Sequence, residues 1–173
     1  MAGEPDDGGD YGLSRAAIGA RLGGFIYGTL VVLAVIVPGA KAYPDDAGYI
    51  AALVAITTGV LWLAHVYAHT IAHSVGHNEH LSLAEARRIA RREASIIEAG
   101  LPSIVALLLG AAGAISTQAA VWVALALGLA VLAVQGVFFA RVERLPWLAA
   151  LAVVVANVGL GLLLIGLKVF VSH

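Results

Sequence analysis

The sequence contains no cysteine, and only 12% of its 173 residues are charged. The absence of cysteine excludes disulfide bonds, thiolate metal sites and cysteine nucleophiles. The low charge is unlike that of a soluble domain, in which about 25% of residues are charged. There is no excess of basic residues either. The formal net charge is −1, which argues against a nucleic-acid partner.

Motifs typical of enzymes are also missing. The chain has no glycine-rich phosphate loop, no Gly-x-Ser-x-Gly turn and no Glu-x-x-His pair of the kind found in di-iron bundles. No nucleophile is placed beside a base in the sequence. We therefore expect a protein that is not an enzyme.

Apolar residues make up 61% of the chain. A helix surface that faces hydrocarbon must itself be apolar. The sequence therefore predicts an all-α membrane protein, a bundle of five transmembrane helices with a cytoplasmic amphipathic surface helix. The predicted spans cover about residues 22–38, 48–73, 98–115, 119–140 and 147–170, and the surface helix covers about residues 82–96.

The N-terminal residues differ in composition from the rest of the chain. Residues 1–13 are acidic and rich in glycine, which predicts a disordered tail before a single membrane domain over residues 14–173. Ser14 is the predicted N-cap of the first helix. Basic residues, an apolar run and Ala40-Lys41-Ala42 also imitate a signal peptide. The long acidic start favours a retained membrane helix instead.

Several residues predict where helices break or approach one another. Pro38 predicts the end of span one, and Gly100 with Pro102 predicts a kink or a break before span three. Ser82 and Glu85 match a capping box at the start of the surface helix. Pairs of small residues at helical spacing predict close helix contacts. These pairs are Gly19/Gly23, Gly24/Gly28, Ala106/Gly110 and Gly159/Gly166.

The distribution of basic residues predicts the orientation in the membrane. With five spans, one side receives Arg15, Arg21, Arg87, Arg88, Arg91, Arg92, Arg141 and Arg144, and the other side receives Lys41 and Lys168. Cytoplasmic loops carry the excess of Lys and Arg, so we expect a cytoplasmic N-terminus and an extracytoplasmic C-terminus. The surface-helix arginines, Arg87, Arg88, Arg91 and Arg92, are expected to lie against anionic lipid headgroups.

Histidines concentrate at the end of the second span. Five of the six histidines lie in residues 65–80, and His65, His69 and His73 are spaced four apart. Residues four apart on an α-helix share a face and are separated by a rise of about 6 Å. Thr58 falls on the same face. The sequence therefore predicts a polar stripe that runs from the middle of the membrane to its cytoplasmic surface.

Polar residues of other spans are expected at similar depths. The rise per residue places Gln135 near the depth of His65, Glu98 near that of His69, and Asn157 near the middle of span five. Ionisable groups at such depths are costly and usually face the interior of a bundle or water. We expect Gln135 and Asn157 to form hydrogen bonds between helices more readily than to act as ligands.

The stripe suggests handling of a cation, by one of two routes. His65 and His69 could ligate a divalent transition metal such as zinc, with His73 or Glu98 as a third ligand. Alternatively, the histidines could form a proton path with Glu98 as the acceptor, because histidine titrates near neutral pH. Haem fits poorly, since two histidines on one helix face cannot bind opposite sides of one porphyrin.

The alternative interpretation assigns no transport to the chain. In it, the protein is a membrane scaffold or accessory subunit, and His65, His69 and Glu98 only fix helix packing through hydrogen bonds. In either case we expect a homo-oligomer, because five short spans leave little room for a pathway within one protomer.

Overall fold

A computed structural model describes residues 8–77 and 83–171, and the side chains of residues 17–72, 83–167 and 169–170. Within these ranges helices joined by short turns form the chain and no strand is present, which confirms the all-α prediction. The helices are α1 (Gly8–Ala42), α2 (Ala47–His77), α3 (Leu83–Arg92), α4 (Ser95–Ala111), α5 (Thr117–Val142) and α6 (Trp147–Val171).

Four helical segments are long and apolar enough to cross a membrane, namely Ala17–Ala42, Ala47–Ala72, Thr117–Val142 and Trp147–Leu167. Each coincides with a predicted span, and each exceeds the roughly 20 residues that a bilayer requires. Helices α3 and α4 reach the length and hydropathy of a span only when taken together, and they are bent by 46°. The described residues therefore provide four candidate spans, or five if the bent pair is one span. This length and composition indicate a multi-pass membrane protein.

Helices α1 and α4 form the centre of the bundle. Helix α1 packs against α2, α4, α5 and α6, whereas α4 packs against α1, α2 and α5. The core side chains are fully buried aliphatic residues from these helices, including Val32, Leu33, Ile36, Ile50, Val54, Leu107 and Leu132. Helix α6 lies at the periphery, and only 6% of its most apolar stretch is buried inside the protein. Its outer face is thus suited to contact with lipid.

Glycines allow α1 and α4 to approach closely. A carbon added to Gly28 would lie 2.8 Å from the carbonyl oxygen of Ile96, and one added to Gly24 would collide with Ser95 Oγ. Gly110 likewise lies against Ala47 and Ala120. Two of the four predicted small-residue pairs therefore contain helix contacts. The other two predicted pairs are Gly19/Gly23 and Gly159/Gly166. A carbon added to any of these four glycines would have no atom of another helix within 4 Å in the described part of the chain.

Prolines do not end the helices as the sequence predicts. Helix α1 continues through Pro38 to Ala42, so the helix end predicted there is wrong. Helix α4 continues through Pro102 to Ala111, which excludes a break at that position. A proline removes one backbone donor. Within apolar spans, contacts with neighbouring helices offset that loss.

The break before the third apolar segment lies earlier than predicted, at Glu93 and Ala94, between α3 and α4. The surface helix is accordingly shorter than predicted and ends at Arg92. Bonds from the Ile96 N–H to the Glu93 carbonyl and from the Ala94 N–H to the Arg91 carbonyl tighten this junction. The break coincides with the change from a charged to an apolar sequence, because charged residues favour water and the following residues do not.

Other helix ends also differ from the expected positions. Helix α1 begins at Gly8, before the predicted N-cap Ser14, so residues 8–13 of the predicted tail are helical. The remainder of that tail and Ser82 of the predicted capping box lie outside the described residues. Helix α4 ends at Ala111, because Gly113 adopts a left-handed conformation with φ 76° and reverses the chain. Ser116 then caps α5 by accepting a bond from the Ala119 N–H.

The turn between α1 and α2 is closed by two tyrosines. The ring centroids of Tyr43 and Tyr49 are 4.1 Å apart. Asp46 caps α2 by accepting a 2.8 Å bond from the Tyr49 N–H. The hydrogen bond with Tyr49 raises the pKa of the Tyr43 hydroxyl. The neutral form of Tyr43 is therefore favoured, and this contact weakens as the pH rises through the raised pKa.

Candidate functional site

A row of ionisable and aromatic side chains joins the middle of α1, the second half of α2 and the junction between α3 and α4. It consists of Tyr27 from α1, His65 and His69 from α2, and Glu93 from the α3–α4 junction, and we call it the histidine cluster. The ring centroids of Tyr27 and His65 are 5.4 Å apart, and those of His65 and His69 are 6.4 Å apart. Two helix faces and one helix break are therefore required to assemble it.

The backbone of α2 fixes both histidine rings. Nδ1 of His65 lies 3.1 Å from the Leu61 carbonyl oxygen, and Nδ1 of His69 lies 3.0 Å from the His65 carbonyl oxygen. A carbonyl can only accept a hydrogen bond, so Nδ1 must carry the proton in each ring. In the neutral rings Nε2 is then the acceptor nitrogen, which can take up a proton or ligate a metal.

Glu93 is the carboxylate that the structure brings to the histidines. Its Oε1 lies 3.7 Å from His69 Nδ1, a distance at which the two form an ion pair once the imidazole is protonated. The Glu93 side chain is 16% exposed, whereas that of His69 is 56% exposed. A carboxylate that is largely withdrawn from solvent interacts more strongly with a nearby cation than an exposed one does.

Glu98, predicted as the carboxylate partner, has a different neighbour. Its Oε2 accepts a 2.8 Å bond from a guanidinium nitrogen of Arg21 on α1. The two side chains are 39% and 63% exposed, so this ion pair contributes at most about 1 kcal/mol to stability. Depth along the helices places Glu98 near His69, but depth does not determine which neighbour a side chain faces.

Trp62, which precedes His65 and His69 on α2, connects α2 to α3. Its indole N–H donates a 3.0 Å hydrogen bond to the carbonyl oxygen of Ala90. The four arginines of α3, Arg87, Arg88, Arg91 and Arg92, are all exposed. The indole bond therefore helps to hold a strongly charged helix beside α2, and with it the junction that carries Glu93.

We expect Trp62→Phe to loosen α3, because phenylalanine retains an aromatic ring but cannot donate a hydrogen bond to Ala90. Amide hydrogen exchange over residues 83–92 should become faster, while exchange in the middle of α5 should stay unchanged. The matched control is Trp122→Phe, since Trp122 is 65% exposed. Equal protection of residues 83–92 in the wild-type and Trp62→Phe proteins would show that the indole bond does not hold α3.

Three other predicted site residues, Thr58, Gln135 and Asn157, contact groups that do not belong to the cluster. Thr58 is 1% exposed, and its hydroxyl donates a 2.8 Å bond to the Val54 carbonyl of its own helix. Asn157 on α6 donates a 3.4 Å bond to the Leu132 carbonyl of α5. Gln135 lines an apolar groove between α1 and α5. His73 lies on α2, but its side chain is outside the described residues.

The donors of the cluster match a metal site only in part. Among the described residues, no group of three or more His, Asp or Glu side chains is arranged to hold a metal ion. His65 and His69 supply two imidazoles, and Glu98, proposed above as a third ligand, is bonded to Arg21. A zinc site usually needs three or four protein ligands. Proton uptake and transfer need no such ligand count.

Tyr27 and Glu93 were not assigned to the candidate site from the sequence. Tyr27 belongs to another helix, and no periodicity relates it to the histidines of α2. Glu93 belongs to the charged segment and could be assigned only if the helix break were placed correctly, because the break turns it towards α2. The change from charged to apolar residues after Glu93 was the available signal.

Comparisons of the chain with protein-family models, with curated proteins and with solved structures found no match. Function must therefore be argued from the contacts that the residues of this chain make.

Proposed function

We propose that this protein is a five-span integral membrane protein that moves or senses protons through the histidine cluster. In this proposal α3 and α4 act as one bent unit, with α4 as the third span and α3 at the cytoplasmic surface. The N-terminus is cytoplasmic and the C-terminus extracytoplasmic. The histidine cluster then lies in the cytoplasmic half of the membrane.

The observation that carries the proposal is the alignment of two imidazoles with one carboxylate. His65 and His69 are both fixed through Nδ1, which leaves Nε2 of each ring as the acceptor nitrogen, and Glu93 lies 3.7 Å from His69. Histidine gains and loses a proton between about pH 5 and 8. Ionisable groups within a membrane usually mark an ion or proton pathway.

The positions of basic residues support the proposed orientation. Arg21 lies in the first half of α1, Arg141 lies in the last turn of α5, and Arg144 follows that helix. A five-span arrangement places these residues on the same side as the arginines of α3. Lys41 lies at the end of α1, on the opposite side. An excess of basic residues in short loops is typical of the cytoplasmic side.

A divalent metal is the second candidate, because the rings of His65 and His69 are only 6.4 Å apart and share a helix face. Both acceptor nitrogens could bind one ion such as zinc if His73, or a residue of a second copy, completed the ligand set. The proton pathway is the better supported of the two, since it requires no further ligand.

Proton flux in liposomes tests the proposal. We expect purified wild-type protein to dissipate an imposed pH gradient, and the variant His65→Gln/His69→Gln to reduce the rate to that of empty liposomes. Glutamine retains hydrogen bonding but does not titrate. Glu93→Gln should also slow the flux, because it removes the charge next to His69.

The matched control is Tyr67→Phe, which alters a 67% exposed residue on the same helix and should leave the flux unchanged. Measurement of bound metal by mass spectrometry accompanies the flux assay. Metal that is stoichiometric in the wild type and lost in the histidine variant would favour the metal site. Unchanged flux and no metal in either protein would leave the alternative, a scaffold whose polar residues only fix helix packing.

A further inference from the structure

A second feature, which shares no residue with the histidine cluster, lies where α5 ends and α6 begins. A groove of about 630 Å³ opens there, and its lining includes the apolar residues Val137, Leu151 and Val154. Arg141, Arg144 and Trp147 line the same groove. One end is therefore basic and aromatic, and the remainder is apolar.

A second groove of about 280 Å³ runs along the neighbouring face of α5. It is lined by Val134, Phe138 and other apolar residues, and it shares Val137 and Arg141 with the first groove. The two apolar grooves therefore meet at Arg141 and extend from it along different faces of α5. This shape corresponds to a molecule with one anionic group and two hydrocarbon chains.

The two arginines are free to bind such a group. Neither guanidinium forms a hydrogen bond or ion pair with another described residue, whereas Arg21 is paired with Glu98. Both side chains are exposed. Glu143, which lies between them in sequence, does not line either groove. The positive charge at the mouth of the grooves is therefore not neutralised by the described part of the chain.

The backbone conformation of Arg144 independently indicates that its side chain has a binding role. Arg144 has a positive φ of 51°, in the left-handed region that favours glycine. It follows the C-cap of α5, and the Leu145 N–H bonds to the Ala140 carbonyl beside it, as in a glycine-terminated helix end. An arginine at such a position carries a conformational cost, which indicates a use for its side chain.

We propose that the two grooves bind one anionic diacyl phospholipid. Arg141 and Arg144 hold the phosphate, Trp147 lies at the level of the headgroup, and the acyl chains occupy the grooves on either side of Val137. Arginine matches phosphate oxygens through several parallel donors, and tryptophan favours the membrane interface. Basic pockets between helices on the cytoplasmic side are suited to anionic headgroups.

Native mass spectrometry tests this assignment. The protein is extracted from vesicles that contain equal amounts of phosphatidylglycerol and phosphatidylcholine. Wild-type protein should retain one phosphatidylglycerol per chain in preference to phosphatidylcholine. Arg141→Gln/Arg144→Gln should lower that preference to the ratio of the vesicles. The control Lys41→Gln also removes a positive charge, but in the last turn of α1, and should retain the preference. A loss of equal size in the control would overturn the proposal.

The variant Arg144→Gly separates lipid binding from folding. Glycine is the residue that the left-handed backbone prefers, so we expect the unfolding temperature in phosphatidylcholine to be maintained or raised while phosphatidylglycerol retention falls. Full retention in this variant and in the double variant would overturn the proposal. Inorganic phosphate should give no protection against unfolding where phosphatidylglycerol does, and equal protection would indicate a site for free phosphate instead. The outcome is independent of proton flux.

Discussion

Replacing Gly28 by alanine is expected to lower the free energy of unfolding by about 2–3 kcal/mol. The added carbon would lie 2.8 Å from the carbonyl oxygen and 3.0 Å from Cα of Ile96, and 3.1 Å from Cβ of Ala99. Two of these atoms belong to the backbone of α4, which cannot rotate away as a side chain can. Overpacking of this kind costs about 1–3 kcal/mol, and a backbone collision belongs to the upper part of that range.

The matched control is Gly23→Ala, on the same helix. No side chain or neighbouring backbone lies within 4 Å of the carbon that would be added there. Alanine favours a helix over glycine by up to about 1 kcal/mol, so this variant should be as stable as the wild type or slightly more so. Unfolding by SDS in mixed micelles measures both. Equal stability of the two variants would show that α1 and α4 do not meet at Gly28.

Replacing Leu33 by alanine should have the second largest effect on stability. Leu33 is fully buried, and its side chain lies against the positions where Gly128 of α5 and Gly161 of α6 lack a side chain. Truncation of a buried leucine leaves a cavity and typically costs about 2–5 kcal/mol. We expect about 2 kcal/mol, because unfolded helices in a membrane already contact lipid rather than water and little transfer energy is lost.

Leu63→Ala is the control for Leu33→Ala, since Leu63 is 61% exposed and lies on a spanning segment of α2. Its truncation should change the free energy of unfolding by less than about 0.5 kcal/mol. The same SDS titration applies. If both truncations destabilised the protein equally, α1 would not be the central helix that packs α5 and α6 together.

The candidate site could be predicted only in part. Hydropathy identifies α2, and spacing places His65 and His69 on one face of it. Spacing within one helix cannot identify partners on other helices, however. Depth suggested Glu98 as the partner carboxylate, but Glu98 is bonded to Arg21, while Glu93 lies beside His69. Which carboxylate lies beside His69 depends on how α4 is rotated about its own axis and on the helix break at Glu93. Neither feature produces a periodic pattern in the sequence.

The sequence by itself indicated that the chain lies in a membrane and that its structure is all-α. Long apolar runs separated by short polar segments specify helices of spanning length, because backbone groups in hydrocarbon must bond within their own segment. The sequence also determined that the histidines share a helix face, since helical geometry is local.

The tertiary structure decided which of these features meet. It selected Gly24 and Gly28 rather than Gly19 and Gly23 as the contact with α4, and it turned Glu93 towards His69. These outcomes depend on how each helix is rotated about its own axis. In an apolar environment every face of a spanning helix is tolerable, so close packing, and not hydrophobic pattern, fixes that rotation.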